Sequence, residues 1–115
     1  MKTKYLILSA AFTFMSILSF AQTKTDTLKV WGNCESCKDH IEDAAKEAGA
    51  ITADWNKTSK LLIVSYDTTK TTNLKIQTKI AAVGYDTQDM QGKDGAYKKL
   101  DKCCQYKRKS DAAKP

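Results

Sequence analysis

The chain has 115 residues, 42% of them hydrophobic and 28% charged, with one proline and four cysteines. That length leaves room for one small domain, and the composition excludes collagen-like and wholly disordered chains. Nineteen Lys and Arg against thirteen Asp and Glu give +6, an excess that is unevenly spread along the chain.

Met1 to Lys4 carries two lysines, and an apolar run follows from Tyr5 to Phe20. Ser19-Phe20-Ala21 then sets small residues at both key places of a cut before polar Gln22. Basic start, short apolar stretch and small-residue cut site predict a secretory signal peptide over residues 1–21. A membrane span needs about 20 apolar residues; this run is shorter and is interrupted by Ser9, Thr13, Ser16 and Ser19. No cysteine stands at the cut, so a lipoprotein anchor is not expected. Cleavage near Ala21 would export the chain to the periplasm or the extracellular space and lower its net charge to +4 by removing Lys2 and Lys4. It would also place all four cysteines in an oxidising compartment.

After the leader, Thr25 to Val30 alternates polar and apolar residues and reads as a half-buried strand, broken at Gly32-Asn33. Cys37, Ile41, Ala44 and Ala48 recur at helical spacing, with Gly49 as a stop. Ile51, Ala53 and Trp55 alternate as a second strand, Asn56–Ser59 supplies a turn, and Lys60 to Tyr66 is rich in Leu, Ile and Val, a third strand. Leu74, Ile76, Ile80 and Val83 mark a second helix stopped by Gly84, and Tyr85 to Met90 is a short fourth strand. The order is β-α-β-β-α-β, which predicts an α+β, ferredoxin-like fold with a four-stranded antiparallel sheet and two helices on one face. Because successive elements reverse direction, the Gly32–Cys37 turn, the Asn56–Lys60 hairpin and the Gly84–Tyr85 turn should share one end. The fourth strand would then carry the tail to the opposite end.

The chemistry lies in Cys34-Glu35-Ser36-Cys37 at a strand-to-helix turn. Two thiols in this spacing can converge on one atom, and the partial positive charge of a helix start favours thiolate. Thiolate is the form that binds metal or attacks a disulfide, and soft thiolates select Cu(I), Zn(II) and Hg(II). Haem attachment requires histidine after the second cysteine, where Lys38 stands. A structural zinc site wants four well-spaced ligands, for which adjacent Cys103 and Cys104 are poorly placed. Thiol–disulfide exchange stays open as the alternative, although thioredoxin-like folds set a cis-proline beside the dithiol and the single proline here is Pro115. No carboxylate pair, Ser/His/Asp set or phosphate-cradling loop argues for an enzyme.

The element order together with L-K-V-x-G-x-C-x-x-C, L-L-I-V-S-Y-D and A-A-V-G-Y-D resembles the heavy-metal-associated (HMA) domain over about Thr25 to Met90. Domain organisation is then residues 1–21 signal peptide, 22–92 HMA domain and 93–115 a basic Cys-Cys tail. The resemblance implies a small exported metal-binding protein, similar to periplasmic mercury-binding proteins and copper chaperones. Cys34 and Cys37 would hold one soft ion, Cu(I) first and Hg(II) or Zn(II) next, for sequestration or delivery. Delivery would proceed by exchanging one thiolate at a time with a metal-transporting membrane protein or another metal-binding domain, and Tyr85 would lie beside the site. The family loop reads G-M-x-C-x-x-C, whereas Gly32-Asn33-Cys34 is one residue shorter and lacks the methionine; Trp31 is expected to fill part of that volume.

Further residues enter around this pair. His40 is an auxiliary ligand candidate, with a solvent-facing helix position as the plainer expectation. Glu35, Asp39, Glu42 and Asp43 complement the helix dipole first. Cys103 and Cys104 are either extra ligands or a relay, or an oxidised or surface pair that tethers the tail. Lys98, Lys99, Lys102, Lys107, Arg108, Lys109 and Lys114 make that tail basic; a solvated tail is expected rather than a nucleic-acid contact. A monomer is expected.

Overall fold

In the computed structural model, which describes residues 22–112, the chain runs β1 (Thr23–Lys29), α1 (Glu35–Glu47), β2 (Ala50–Trp55), β3 (Leu61–Asp67) and α2 (Asn73–Ala82). It continues with α3 (Asp94–Lys98), a 3-10 turn (Lys102–Cys104) and α4 (Lys109–Ala112). The expected signal peptide lies outside the described residues.

The strands form an antiparallel sheet in the order β1-β3-β2. Leu28, Val30, Trp55, Leu62, Val64 and Tyr66 point to one face of it and are buried. Against them α1 turns Cys37, Ile41, Ala44 and Ala45, and α2 turns Ile76, Ile80 and Ala81. Those spacings of three, four and eight are one stripe of an α-helix, so a single apolar layer joins both helices to the sheet. Thr72 caps α2, its hydroxyl accepting from the Lys75 N–H at 3.1 Å. Gly49 and Gly84 follow the helices with φ of 111° and 106°, the left-handed stop that only glycine adopts without strain. In the hairpin, the Asn56 carboxamide oxygen accepts from the Thr58 and Ser59 N–H groups at 2.8 and 2.9 Å.

Two expectations about side-chain direction are corrected. Ile51 does not face the core: the register shifts between Ala50 and Thr52, and Ile51 is 58% exposed. A bulge inserts one unpaired residue and reverses the alternation, so Ala50 pairs with buried Tyr66 and Trp55 with Leu62. Leu74 is also exposed, and buried Gln77 lies on the inner face of α2 in its stead.

The fourth strand is corrected too. Residues 85–90 contribute one antiparallel bridge, Val30 with Thr87, and the sheet of the described residues has three strands. The segment does touch the β1 side, with Trp31 N–H donating to Asp86 O and Gln88 N–H to Lys29 O, each at 2.9 Å. It then reverses, because Thr87 N–H donates to Met90 O at 2.8 Å. Gln77 holds this turn: its oxygen accepts from the Thr87 hydroxyl at 2.7 Å and the Asp89 N–H at 3.0 Å. Side-chain hydrogen bonds thus replace the ladder that a strand would have made.

That reversal changes where the tail begins. The chain turns back toward the Gly84 end, where Lys93 N–H donates to Ala81 O at 2.9 Å. Cys104, Tyr106 and Arg108 are buried, so this part of the tail packs on the domain at the Cys34–Cys37 end.

Candidate metal centre

Cys34 is the N-cap residue of α1, in extended conformation, and Cys37 lies one turn into the helix, fully buried. Their sulfurs are 3.5 Å apart, and the Asn33 N–H donates to the Cys37 Sγ at 3.4 Å. The loop can be this short because Gly32 leaves room for Trp55: a Cβ at Gly32 would lie 2.8 Å from the Trp55 ring and 3.2 Å from Ile41. The Trp55 indole donates to Val30 O at 3.0 Å. Trp55 therefore packs under the loop, and Trp31 lies against the same core. Trp31 is half-buried, with the Lys29 and Lys109 ammonium groups 4.7 and 5.8 Å from its ring.

Lys38 and Glu42, on successive turns of α1, fasten this helix to β2. The Lys38 ammonium pairs with Glu42 and Asp54, each at 2.7 Å, and donates to Trp55 O at 2.9 Å. The Glu42 carboxylate accepts from the Trp55 N–H at 2.8 Å. Glu42 thus holds a strand end, a role its place in the helix sequence did not show.

The tail adds a third sulfur. Cys104 Sγ lies 3.5 Å from Cys34 Sγ, and the thiols of Cys34, Cys37 and Cys104 all fall within 4.8 Å of one another. Cys103 is exposed, 3.9 Å from Cys104 by sulfur and outside that set. All four cysteines are free thiols. Burial pushes the Cys34 thiol up, but the Cys37 backbone amide and the neighbouring thiols of Cys104, Cys37 and Cys103 outweigh it, lowering its pKa to about 7. For Cys104, burial and the sulfurs of Cys37 and Cys34 act together and push the thiol well up, against a smaller opposing effect of the Tyr85 hydroxyl.

Tyr85 is fully buried beside the thiols. Burial, then the negative charge of Cys37 and Cys104, keeps its hydroxyl protonated far above the ordinary phenol range. His40 is not beside the sulfurs as a direct partner; its Nδ1 lies 2.9 Å from the Tyr85 hydroxyl. Tyr106 stacks on Tyr85 with ring centroids 5.6 Å apart, donates its hydroxyl to Gly84 O and accepts from the Asp86 N–H, both at 2.7 Å. Arg108 pairs with the fully buried Asp86 at 2.8 Å and also with Asp94 and the Gly92 carbonyl. Tyr106, Asp86 and Arg108 were missed by sequence reasoning. Their one signal is the Y-D pair after Gly84 facing a downstream Tyr-x-Arg, a spacing too long for any local rule.

The α+β fold with a Cys-x-x-Cys loop at a helix start, flanked by a buried tyrosine, defines a small metal-binding domain of ferredoxin-like type. No family model matches the sequence, and no curated protein matches it. Solved structures do. The CopZ metallochaperone is 30% identical, with a TM-score of 0.53 over 56% of this chain and 98% of its own. The water-soluble region of the P-type ATPase CopA from Bacillus subtilis is 30% identical, with a TM-score of 0.54 over 60% of this chain and 47% of its own. A copper form of a CopA variant from Bacillus subtilis is also 30% identical, with a TM-score of 0.52 over 60% and 93%. The chain belongs to the heavy-metal-associated domain family.

Proposed function

We propose that this chain binds one soft metal ion, Cu(I) before Hg(II) or Zn(II), through Cys34 and Cys37, and sequesters or delivers it outside the cytoplasm. The observation that carries this reading is the pair of sulfurs 3.5 Å apart at the start of α1, with Cys34 lowered to about 7. Near neutral pH a large share of Cys34 is then thiolate, ready to capture a thiophilic cation. Cys37 then supplies the second sulfur, 3.5 Å away. Similarity to a metallochaperone and to the soluble region of a P-type ATPase supports binding rather than catalysis. It also supports a partner that is a metal-transporting membrane protein or a second metal-binding domain. One chain supplies every thiol of the site, which fits a monomer. Export rests on the leader at residues 1–21.

The test is anaerobic titration of the reduced chain with Cu(I) against a competing chelator, with Zn(II) and Hg(II) in parallel. One tightly held equivalent, lost when Cys34→Ser and Cys37→Ser are combined, is the expected result. Tight binding retained by that double variant would overturn the assignment. Absence of tight binding together with fast exchange with a disulfide substrate would make a thiol–disulfide protein the better reading. N-terminal sequencing of the cellular protein checks export: a chain beginning near Gln22 is expected, and an intact Met1 in the cytoplasm would contradict it.

A further inference from the structure

The two loop thiols are not the whole sulfur complement of this end of the molecule. Cys104 enters from the 3-10 turn, fully buried, and its sulfur meets that of Cys34 at the distance Cys37 does, 3.5 Å in each case. Geometry separates two modes of binding here. With metal–sulfur bonds of about 2.3 Å, three coplanar thiolates sit about 4.0 Å apart, whereas two thiolates on opposite sides of an ion sit about 4.6 Å apart. Reaching the first from 3.5 Å needs an opening of about 0.5 Å, and reaching the second about twice that.

We infer that Cys104 is a third ligand, so that the ion is held in a closed three-sulfur site whose cover is the chain's own tail. The inference rests on Cys34 and Cys37 being ligands. It selects Cys104 over its neighbour Cys103, which is exposed and lies outside the cluster.

The tail around Cys104 is built to hold that sulfur in place. On one side the Asn33 carboxamide donates to Cys103 O at 3.3 Å, tying the tail backbone to the metal loop itself. On the other, the Tyr97 hydroxyl donates to Tyr106 O at 2.6 Å, and Tyr106 is anchored to Gly84 and Asp86 as described. Arg108 closes the strap on buried Asp86. These anchors leave Cys104 little freedom to move away. When the ion binds, the proton of Cys104 passes to solvent and a sulfur–metal bond replaces the sulfur–hydrogen bond. Three thiolates around Cu(I) leave a negative cluster beside the Tyr85 hydroxyl, a donor that is paired with His40. A third ligand slows release, so the chain retains its ion until the tail is displaced or a partner thiolate replaces Cys104.

The test is X-ray absorption at the copper edge on the reduced full chain loaded with one equivalent of Cu(I). Transfer of the ion to a chelator is timed alongside. Three sulfurs per copper are expected in the wild type and in Cys103→Ser, and two in Cys104→Ser and Cys104→Ala, with a shorter mean copper–sulfur distance. Transfer from the Cys104 variants should be at least about tenfold faster, since losing even an outer-shell partner costs about 10- to 100-fold in affinity. Two sulfurs in the wild type would overturn the inference while leaving Cys34 and Cys37 as ligands; because this reading needs no variant, it stands even if the Cys104 variants do not fold. Three sulfurs that persist in both Cys104 variants would also overturn it. Failure of the wild type to bind Cu(I) would remove the underlying assignment as well.

Discussion

Three thiols within 4.8 Å of one another do not share one chemistry, because each meets a different surrounding. Cys34 is half-buried at the helix cap, where the Cys37 amide and nearby sulfurs offset its burial and bring it to about 7. Cys104, enclosed and facing the other sulfurs, is pushed the other way. The expected consequence is an ordered reaction with alkylating agents. Thiolate absorbance in the ultraviolet should rise with a midpoint near pH 7 and lose that phase in Cys34→Ser. A midpoint unchanged by Cys34→Ser would assign the low-pKa thiol elsewhere. Apparent Cu(I) affinity should accordingly weaken as pH falls below about 7, where protons compete for Cys34.

At the scale of elements, the segment after α2 gives up strand pairing and is held by polar contacts from two directions. Gln77 holds the Thr87–Asp89 turn from α2. Arg108 and the Gly92 and Lys109 amides hold Asp86 from the tail. Burial acts to raise the Asp86 carboxyl, but Arg108 and those amides prevail and hold it below the ordinary carboxylate value of 3.8. A carboxyl lowered on folding stabilises the native state above its unfolded pKa, and that contribution is lost as pH falls through the folded one. Asp86 should therefore contribute fully at neutral pH and cease to do so only in strongly acidic solution, below about pH 4. Arg108→Met leaves the buried carboxylate without its cation. The expected cost is about 3–5 kcal/mol at pH 7, as for other buried pairs broken on one side. Urea unfolding at pH 7 and pH 4 measures this, and the deficit should shrink at the lower pH as Asp86 takes up a proton. An equal deficit at both values would show that Arg108 acts through packing alone.

For the whole molecule, the described tail is part of the folded unit. Cys104, Tyr106 and Arg108 belong to its interior, and Tyr106 supplies both a stacked ring for Tyr85 and partners for the Gly84 and Asp86 backbone. Ending the chain after Met90 would expose Tyr85 and strip the Asp86 carboxylate of its cation. Unfolding in urea should reveal a loss of at least about 3 kcal/mol, together with a shallower slope as less surface is buried. Stability equal to that of the full chain would mean that the tail is a detachable cover.

Much of this molecule was legible in its residues. Periodicities of two and 3.6 placed β1, α1, β3 and α2, because each buries one face and the pattern records that face. Gly49 and Gly84 marked both helix ends because a left-handed residue is a local requirement. Cys-x-x-Cys at a helix start is likewise a local arrangement, so Cys34 and Cys37 were visible as a pair, and the shared end of the Gly84–Tyr85 turn followed from strand reversal. The tertiary structure alone decided the rest. The bulge at Ile51 depends on what β3 sets opposite it. Trp55 packs under Gly32 because the sheet brings together residues more than twenty positions apart. In place of the fourth strand stands a turn that the Gln77 oxygen holds through the Thr87 hydroxyl and the Asp89 N–H, while Arg108 from the tail pairs with the Asp86 carboxylate. That turn, in place of a strand running away from the thiols, returns the chain to their end of the fold and sets Cys104 beside Cys34 across seventy positions of sequence. Local pattern encodes which face of an element is buried; which distant side chain arrives there is set by packing and by the need to pair every buried polar group.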